Sequence, residues 1–588
     1  GYNTYWGSNN SDMQIYMLLP GSASATPVQS KINSLTKEYY RQVNDKNTRS
    51  HVVQPLSDIH FDTRYGNFNN RMVSRPTIWT LMLVGLMIIV MACINFVNLS
   101  TAQSVSRSKE VGLRKVLGGN RAQLIGQFFG ETSIIVGISV LLGLALAFLA
   151  SPQLDSFVPV GKDVNIISVP TIIFLLITAV VVVLLSGFYP AMILSGFKPA
   201  LALKNKISST EIGNISLRRG LVVLQFALSQ LLIIGTIVAI SQMNYIRSAD
   251  LGLKKDAVLV VTHSSDSASI SRMPAFKNEL LATKGIEAVS FSSDVPTSDN
   301  NWSMNFAFNG KEDEKFGIFI KVADQDYFDA YGITIIAGRG LSKSDTTREY
   351  VVNETLVKKL GIKDPADIVG KNLRLGSNAW FPVVGVAKDF KTNSLREDIK
   401  PLAIFSSSNY YSSAGIRLSG GNFTDVVATV QKTWDKYFPE YVSNNRFMDD
   451  AIAEFYTQEE QLSRLYKIFA ALAIIISCLG LYGLVSFMAA QKTKEVGIRK
   501  VLGASTASIV FLFSKEFMLL ILIAFLIAAP LASMFMSNWL SNFTFRVDIG
   551  PGVFLVAIAT TLAIAWITVG FKAFRAARVN PTKSLKSE

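Results

Sequence analysis

Long apolar runs without a charge in their middles alternate along this chain with polar stretches rich in Lys and Arg. A helix rises about 1.5 Å per residue, so a hydrocarbon core of about 30 Å takes about 20 apolar residues to cross. Seven runs reach that length: Thr77–Leu99, Thr132–Ala150, Val169–Leu194, Leu221–Ile240, Tyr466–Met488, Phe517–Met536 and Val553–Phe571. Lys467 and Lys572 lie at the rims of their runs, and Pro530 interrupts the sixth. Neighbouring helices can satisfy the carbonyl that such a proline frees.

Charge then orients the spans. Of the 588 residues 17% are charged, against about 25% in a soluble globular chain. The net charge is +14. Arg107, Lys109, Arg114, Lys115 and Arg121 fall between the first two runs. Lys198, Lys204, Lys206, Arg218 and Arg219 fall between the third and fourth, and Lys492, Lys494, Arg499, Lys500 and Lys515 between the fifth and sixth. The tail after Phe571 adds Lys572, Arg575, Arg578, Lys583 and Lys586. If every run crosses, these four segments share one side, and the positive-inside rule makes it the cytoplasm. The basic excess is thereby topological, and a nucleic-acid partner is not implied.

The same alternation places residues 1–76 and Ser241–Arg464 outside. The second region is polar and near charge balance. Val258–Val261, Gly317–Val322 and Phe381–Val386 read as strands by β-branched and aromatic content. Pro274–Ala282 and Asp425–Tyr437 read as helices, with Pro274 at a first helical position. An α/β domain is expected there. The first 76 residues are polar, yet neither an initiator Met nor an export signal precedes them, so the chain reads as part of a longer protein with one more span ahead, the alternative being a mature protein whose signal was cleaved.

Internal repetition sharpens the picture. Ser108-Lys-Glu-Val-Gly-Leu-Arg-Lys-Val-Leu-Gly-Gly119 recurs as Thr493-Lys-Glu-Val-Gly-Ile-Arg-Lys-Val-Leu-Gly-Ala504, an offset of 385 residues. That offset also pairs Cys93 with Cys478, Phe128 with Phe513 and Glu131 with Glu516. The period contains four spans, so both copies point the same way and an axis along the membrane normal should relate them.

Within each motif, Glu110 and Arg114, like Glu495 and Arg499, are four apart on one helical face, a pairing that contributes about 0.2–0.5 kcal/mol. Leu113, Val116 and Leu117 form an apolar stripe, repeated as Ile498, Val501 and Leu502. Gly118-Gly119 and Gly503 should end a short amphipathic helix, and Asn120 and Ser505 should cap the next one. Glu131 and Glu516 are expected to start spans, where a carboxylate suits the helix dipole. Asn95, Asn98, Gln225 and Gln230, polar groups within spans, are expected to face other helices.

These residues resemble a known family. Ile94-Asn-Phe-Val-Asn-Leu-Ser-Thr-Ala102 followed by Lys109-Glu-Val-Gly-Leu-Arg-Lys-Val-Leu-Gly118 is similar to the FtsX-type permease module. Ala337-Gly-Arg339, Val352-Asn-Glu354 and Val384-Gly-Val-Ala-Lys-Asp-Phe390 resemble the periplasmic core domain of MacB-like permeases, and Gln54-Pro-Leu-Ser-Asp-Ile-His60 resembles the end of such a domain. The resemblance implies a polytopic α-helical membrane protein with extracytoplasmic α/β domains of MacB-like periplasmic-core type and two parallel FtsX-type repeats. It divides the chain into the end of a first outer domain (1–76), a first three-span module (77–204), a linker with the fourth span (205–240), a second outer domain (241–464) and a second three-span module (465–588). It implies a multi-pass protein of the inner membrane with a cytoplasmic C-terminus. As an ABC transporter permease it would work with two separate ATPase subunits, which would bind the ATP, with membrane lipid around it and a periplasmic adaptor as a further partner. The alternative is an FtsX-like regulator of cell-wall hydrolases. Family coupling falls in the motif loop, hence on Lys109, Glu110, Arg114, Lys115, Lys494, Glu495, Arg499 and Lys500; the same basic helix could instead bind lipid phosphates.

Catalytic signatures are lacking. The sequence has no Gly-x-x-x-x-Gly-Lys-Ser/Thr, no His-Glu-x-x-His and no Gly-x-Ser-x-Gly. Its two cysteines lie far apart in apolar runs, and His51, His60 and His263 stand outside metal-ligand spacing. A non-catalytic chain, with no cofactor or metal of its own, is expected.

Overall fold

A computed structural model describes residues 15–21, 24–42, 50–62, 64–65, 72–154, 166–196, 215–254, 257–262, 266–298, 301–420, 423–491 and 493–577. His263 lies outside them. Residues 1–93 and 94–588 form two compact units. In the first, helix α1 (Ala25–Gln42) is tied to the segment after it, because Asn33 exchanges two hydrogen bonds with the His51 backbone, at 2.6 and 3.1 Å.

Among the described residues, seven helices are long and apolar enough to cross a membrane. They lie on α2 (Arg75–Val116), α3 (Arg121–Leu154), α4 (Val169–Ser195), α5 (Ile215–Ser248), α11 (Thr457–Gln491), α13 (Thr506–Leu540) and α14 (Pro551–Ala577). Each contains one of the seven apolar runs and extends beyond it at both ends, except α4, which starts with its run at Val169 and ends one residue past Leu194. Helix α13 continues through Pro530. Over half of the apolar window of α5 is buried, against 6% for α3 and for α4. Helix α5 is therefore the hub of the second module, packed on α11, α13 and α14, while α3 and α4 pack on each other and leave most of their surface for lipid. Small residues such as Ala227, Ala524 and Ala565 line the hub and let backbones approach. As expected, span polar groups turn inward: Gln225 and Gln230 are buried, and Gln230 Nε2 donates to Ile521 O at 3.3 Å. Ser229 and Ser477 share a 2.6 Å hydrogen bond.

Between α5 and α11 lies an α/β domain. Its elements are β1 (Val258–Thr262), α6 (Ser267–Leu281), β2 (Ile286–Ser292), β3 (Trp302–Met304), β4 (Phe306–Phe308), β5 (Ile318–Val322), α7 (Tyr327–Tyr331), β6 (Ile335–Gly338), β7 (Tyr350–Asn353), α8 (Glu354–Lys359), β8 (Asn372–Leu375), β9 (Phe381–Ala387), β10 (Leu402–Phe405), β11 (Ser413–Leu418), α9 (Phe423–Tyr437), β12 (Asn444–Phe447) and α10 (Met448–Glu454). A four-stranded sheet runs β12-β1-β11-β2. A larger one runs β3-β5-β10-β7-β9-β8-β4, with β6 beside β9, and is parallel at β5/β10 and β7/β9. The three expected strands stand within a residue of their bounds.

Pro274 does not begin a helix. Helix α6 starts at Ser267, because the Asp266 carboxylate accepts from the N–H groups of Ala268 and Ser269 at 2.9 Å and so fixes the first turn upstream. Pro274 sits inside.

The motifs that resemble a periplasmic core domain hold this fold together. Asn353 caps α8 by accepting from Leu356 N–H and also accepts from Leu402 N–H, joining helix to strand β10. Glu354 accepts from Asp389 N–H, while Asp389 accepts from the N–H and hydroxyl of Thr355, each at 2.9 Å. At Gly338 (φ +71°) the chain passes so close to Val384 O that a Cβ would overlap it.

Candidate functional site

Each repeated motif occupies a helix tip. In the first copy the expected separate helix is absent: the motif is the last part of the 42-residue helix α2, which runs on from the span without a break. In the second it is a helix of its own, α12 (Thr493–Val501). The two tips end identically. Gly119 N–H reaches Arg114 O at 2.9 Å and Gly118 N–H reaches Lys115 O at 3.2 Å. Ala504 N–H reaches Arg499 O at 2.9 Å and Gly503 N–H reaches Lys500 O at 3.1 Å. This is the Schellman turn, and it puts Gly118 (φ +96°) and Gly503 (φ +90°) in the left-handed region, where a Cβ is costly. Asn120 then caps α3 reciprocally: its Oδ1 accepts from Gln123 N–H at 2.8 Å and its N–H donates to Gln123 Oε1 at 3.1 Å. Ser505 Oγ accepts from Ser508 N–H at the start of α13.

The charged residues of the motifs are largely engaged within the chain. Glu110 pairs with Arg114 at 2.7 Å, and Glu495 with Arg499 at 2.8 Å, both i,i+4. Arg114 also donates to Gln127 Oε1 at 2.6 Å. Lys115 Nζ donates to Ser195 O at 2.7 Å, binding the tip to the end of α4; desolvation and the nearby Arg121 guanidinium lower its pKa. The side chains of Lys109 and Lys494 lie outside the described residues. What faces outward is the apolar stripe: Leu117 is 78% exposed and Leu502 80%, with Leu113, Val116, Ile498 and Val501 all more than half exposed. The stripe follows from the sequence spacing, whereas its exposure does not.

Glu131 and Glu516 do not start helices. They lie ten residues inside α3 and α13, beyond the first turn where the dipole acts. Glu131 pairs instead with Arg107 at 2.7 Å, and Glu516 with Arg219 at 2.6 Å.

At the opposite end, the outer domain is clasped to the spans. Gln242, near the end of α5, donates to Phe545 O at 3.0 Å and accepts from Val547 N–H at 2.9 Å, gripping the loop between α13 and α14. The same loop donates Phe545 N–H to Leu395 O and Thr544 Oγ1 to Arg396 O. Lys391, itself buried, places Nζ 3.8 Å above the Phe545 ring and donates to Glu397 O; desolvation lowers its pKa to about 8. Arg247 pairs with Glu460 at 2.6 Å across α5 and α11, and Arg396 pairs with Glu459. Met243 and Ile246 of α5 and Phe543 of the loop enter the domain's apolar core. The junction combines packing, ion pairs and backbone hydrogen bonds. It was not legible as a site, because its members are scattered from residue 242 to residue 547.

Comparison with known proteins follows this division. Residues 82–199 and 467–581 match the family described as FtsX-like permease C-terminal, and residues 229–436 match the MacB-like periplasmic core domain. The macrolide export ATP-binding/permease protein MacB of Shigella sonnei is 24% identical over 287 residues, 45% of this chain and 42% of that protein. MacB of Chromobacterium violaceum is 24% identical over 148 residues, 24% of this chain and 22% of that protein. The chain thus spans less than half the length of these curated relatives. Among solved structures, the periplasmic region of MacB from Actinobacillus actinomycetemcomitans aligns with 15% identity and a TM-score of 0.25, over 34% of this chain and 92% of that one. The extracellular domain of the noncanonic ABC-type transporter YknZ from Gram-positive bacteria aligns with 16% identity and a TM-score of 0.22, over 31% and 93%.

Proposed function

We propose, for a chain that belongs to the MacB/FtsX-like ABC permease family, that it is a transmembrane subunit which two separate ATPase subunits drive from the cytoplasm and which passes that motion to its extracytoplasmic domain. The observation that carries the reading is the pair of matched helix tips, each closed by the same turn and each leaving an apolar stripe exposed. A soluble partner with a complementary cleft would bury that stripe, which the chain itself leaves bare. Glu110, Arg114, Glu495 and Arg499 stiffen the tips by intrahelical pairing, and Lys115 anchors the first to α4. Lys109, Lys494 and Lys500 complete the set of coupling candidates in the two motifs, whose positive charge would help orient an acidic partner surface. ATP would be bound on the partner, and the C-terminus would lie in the cytoplasm with the motifs. The clasp around Phe545 is the output end, where helix displacement becomes movement of the outer domain.

The test is reconstitution. Candidate ABC ATPase subunits from the same genome are mixed in turn with the full chain in nanodiscs; one of them should bind it and hydrolyse ATP faster than alone. No binding and no stimulation by any of them would overturn the assignment.

A further inference from the structure

The two motifs are nearly one sequence, differing only at Ser108/Thr493, Leu113/Ile498 and Gly119/Ala504, and they close in the same turn. Each also keeps one buried valine, Val111 and Val496. Their surroundings differ. The first tip is braced from two helices. Arg114 donates to Gln127 Oε1 at 2.6 Å, Gln127 Nε2 donates to Glu131 Oε1 at 3.0 Å, and Glu131 pairs with Arg107 at 2.7 Å, so a ladder of side chains joins the end of α2 to α3. Lys115 holds the carbonyl of Ser195, and Arg121 Nε donates to Ser195 Oγ at 3.2 Å, which fixes the same corner to the end of α4.

The second copy keeps the lysine, as Lys500, but lacks the parts of the ladder. The offset of 385 puts Leu512 where Gln127 stands and Thr506 where Arg121 stands. Leucine has no acceptor for Arg499, and threonine lacks the reach of arginine. Glu516, the equivalent of Glu131, pairs with Arg219 of α5 instead. Helix α11 ends at Gln491, and α12 is a separate helix of nine residues. A helix that short is marginal by itself in water, so its order depends on what surrounds it. We propose that the two tips are unequal docking sites: the first stands ordered before any partner arrives and takes the first ATPase subunit, while the second is ordered by the subunit that docks on it. The order of docking rests on the coupling assignment; the inequality of the free tips does not.

Amide exchange of the full chain in nanodiscs, without ATPase, tests the inequality. The near-identity of the motifs makes each the other's reference, because a difference in opening then reports the braces and not the residues. Amides of 110–119 should exchange about tenfold more slowly than those of 495–504. Equal rates, or slower exchange in the second tip, would overturn the proposal, and the parent chain gives this answer even if a variant misfolds. Gln127→Leu should speed exchange of the first tip severalfold, and Leu512→Gln, which offers Arg499 an acceptor, should slow that of the second; no change from either would overturn bracing as the cause. With the ABC ATPase subunit that binds the chain in nanodiscs, Leu512→Gln should tighten association severalfold and Gln127→Leu weaken it, since a surface ordered beforehand loses less freedom on binding. Effects absent or opposite in sign would overturn the order of docking. Failure of every ATPase to bind the parent would strike the coupling assignment, and with it the docking order, and leave the exchange comparison to decide the inequality.

Discussion

Replacing Leu117 and Leu502 with serine separates a docking surface from a structural helix end. The two side chains are 78% and 80% exposed, so the chain gains little from them and each change should leave its stability within about 0.5 kcal/mol. Complete burial of a leucine contributes about 2 kcal/mol, and about four-fifths of that remains to be realised at each tip, or roughly 1.5 kcal/mol. Each single variant should therefore weaken ATPase binding to the nanodisc-embedded chain about tenfold, and both together about a hundredfold where both tips are engaged. Val442→Ser, at a side chain 96% exposed on the outer domain, serves as the control and should leave binding unchanged. Biolayer interferometry at fixed salt reads the affinities. A double variant that binds within about twofold of the parent would refute the reasoning and favour an interfacial helix lying on lipid headgroups.

Exchanging one motif pair in place, Glu110→Arg with Arg114→Glu, keeps an intrahelical attraction in its poorer orientation but ends the Arg114–Gln127 bond, so the tip should lose about 1 kcal/mol or less while ATPase association falls if the rim is read electrostatically; normal association after swapping both copies would remove these charges from the contact. Gln242→Leu strands Phe545 O and Val547 N–H at the clasp, a cost of about 1–3 kcal/mol, and should impair movement of the outer domain, read by a spin-label pair, while ATPase binding survives; unchanged movement would exclude this clasp from transmission. Lys321 is wholly buried with no hydrogen-bond partner for Nζ among the described residues, and desolvation lowers its pKa from 10.5 to about 8. The unfolded chain then binds more protons between those values, so domain stability should rise with pH from about 8 to about 10.5, and Lys321→Met should flatten the slope and add roughly 3 kcal/mol at pH 7; a variant as pH-dependent as the parent by thermal melts would contradict it. The segment 241–464, expressed alone, should melt cooperatively because it keeps Met243 and Ile246 in the core, whereas a start at Leu251 should lower the midpoint; aggregation of both would deny the domain autonomy.

Spans, repeats and helix ends were open to reading because each depends on neighbours along the chain. An apolar run of 20 residues has one way to satisfy its backbone in lipid, and glycine after Leu117 or Leu502 has one common use at a helix end. The same locality explains the Glu110–Arg114 and Glu495–Arg499 pairs, found as the spacing required. Locality also misled. Pro274 suits a first turn, but Asp266 had already started the helix; Glu131 directly precedes the charge-free run that begins at Thr132, but α3 begins ten residues earlier. Strands of three to seven residues with mixed burial, such as β3 and β8, carry too little pattern to be seen against the loops around them.

The remaining features depend on partners remote in sequence. Asn95 reads as a polar group in a span, and its fit to Gly480 exists only because α2 and α11 pack together. Gln242 reads likewise, until the loop carrying Phe545 folds back onto it across 303 residues. Whether the apolar stripe at each tip is core or surface is equally invisible in its spacing, since a helix shows the same periodicity against its own chain or against another. Local chemistry determines which backbone segments are helices and where they end. Packing determines which of their faces are already satisfied and which remain for a partner, because burial is a property of the assembled neighbours and not of the residue.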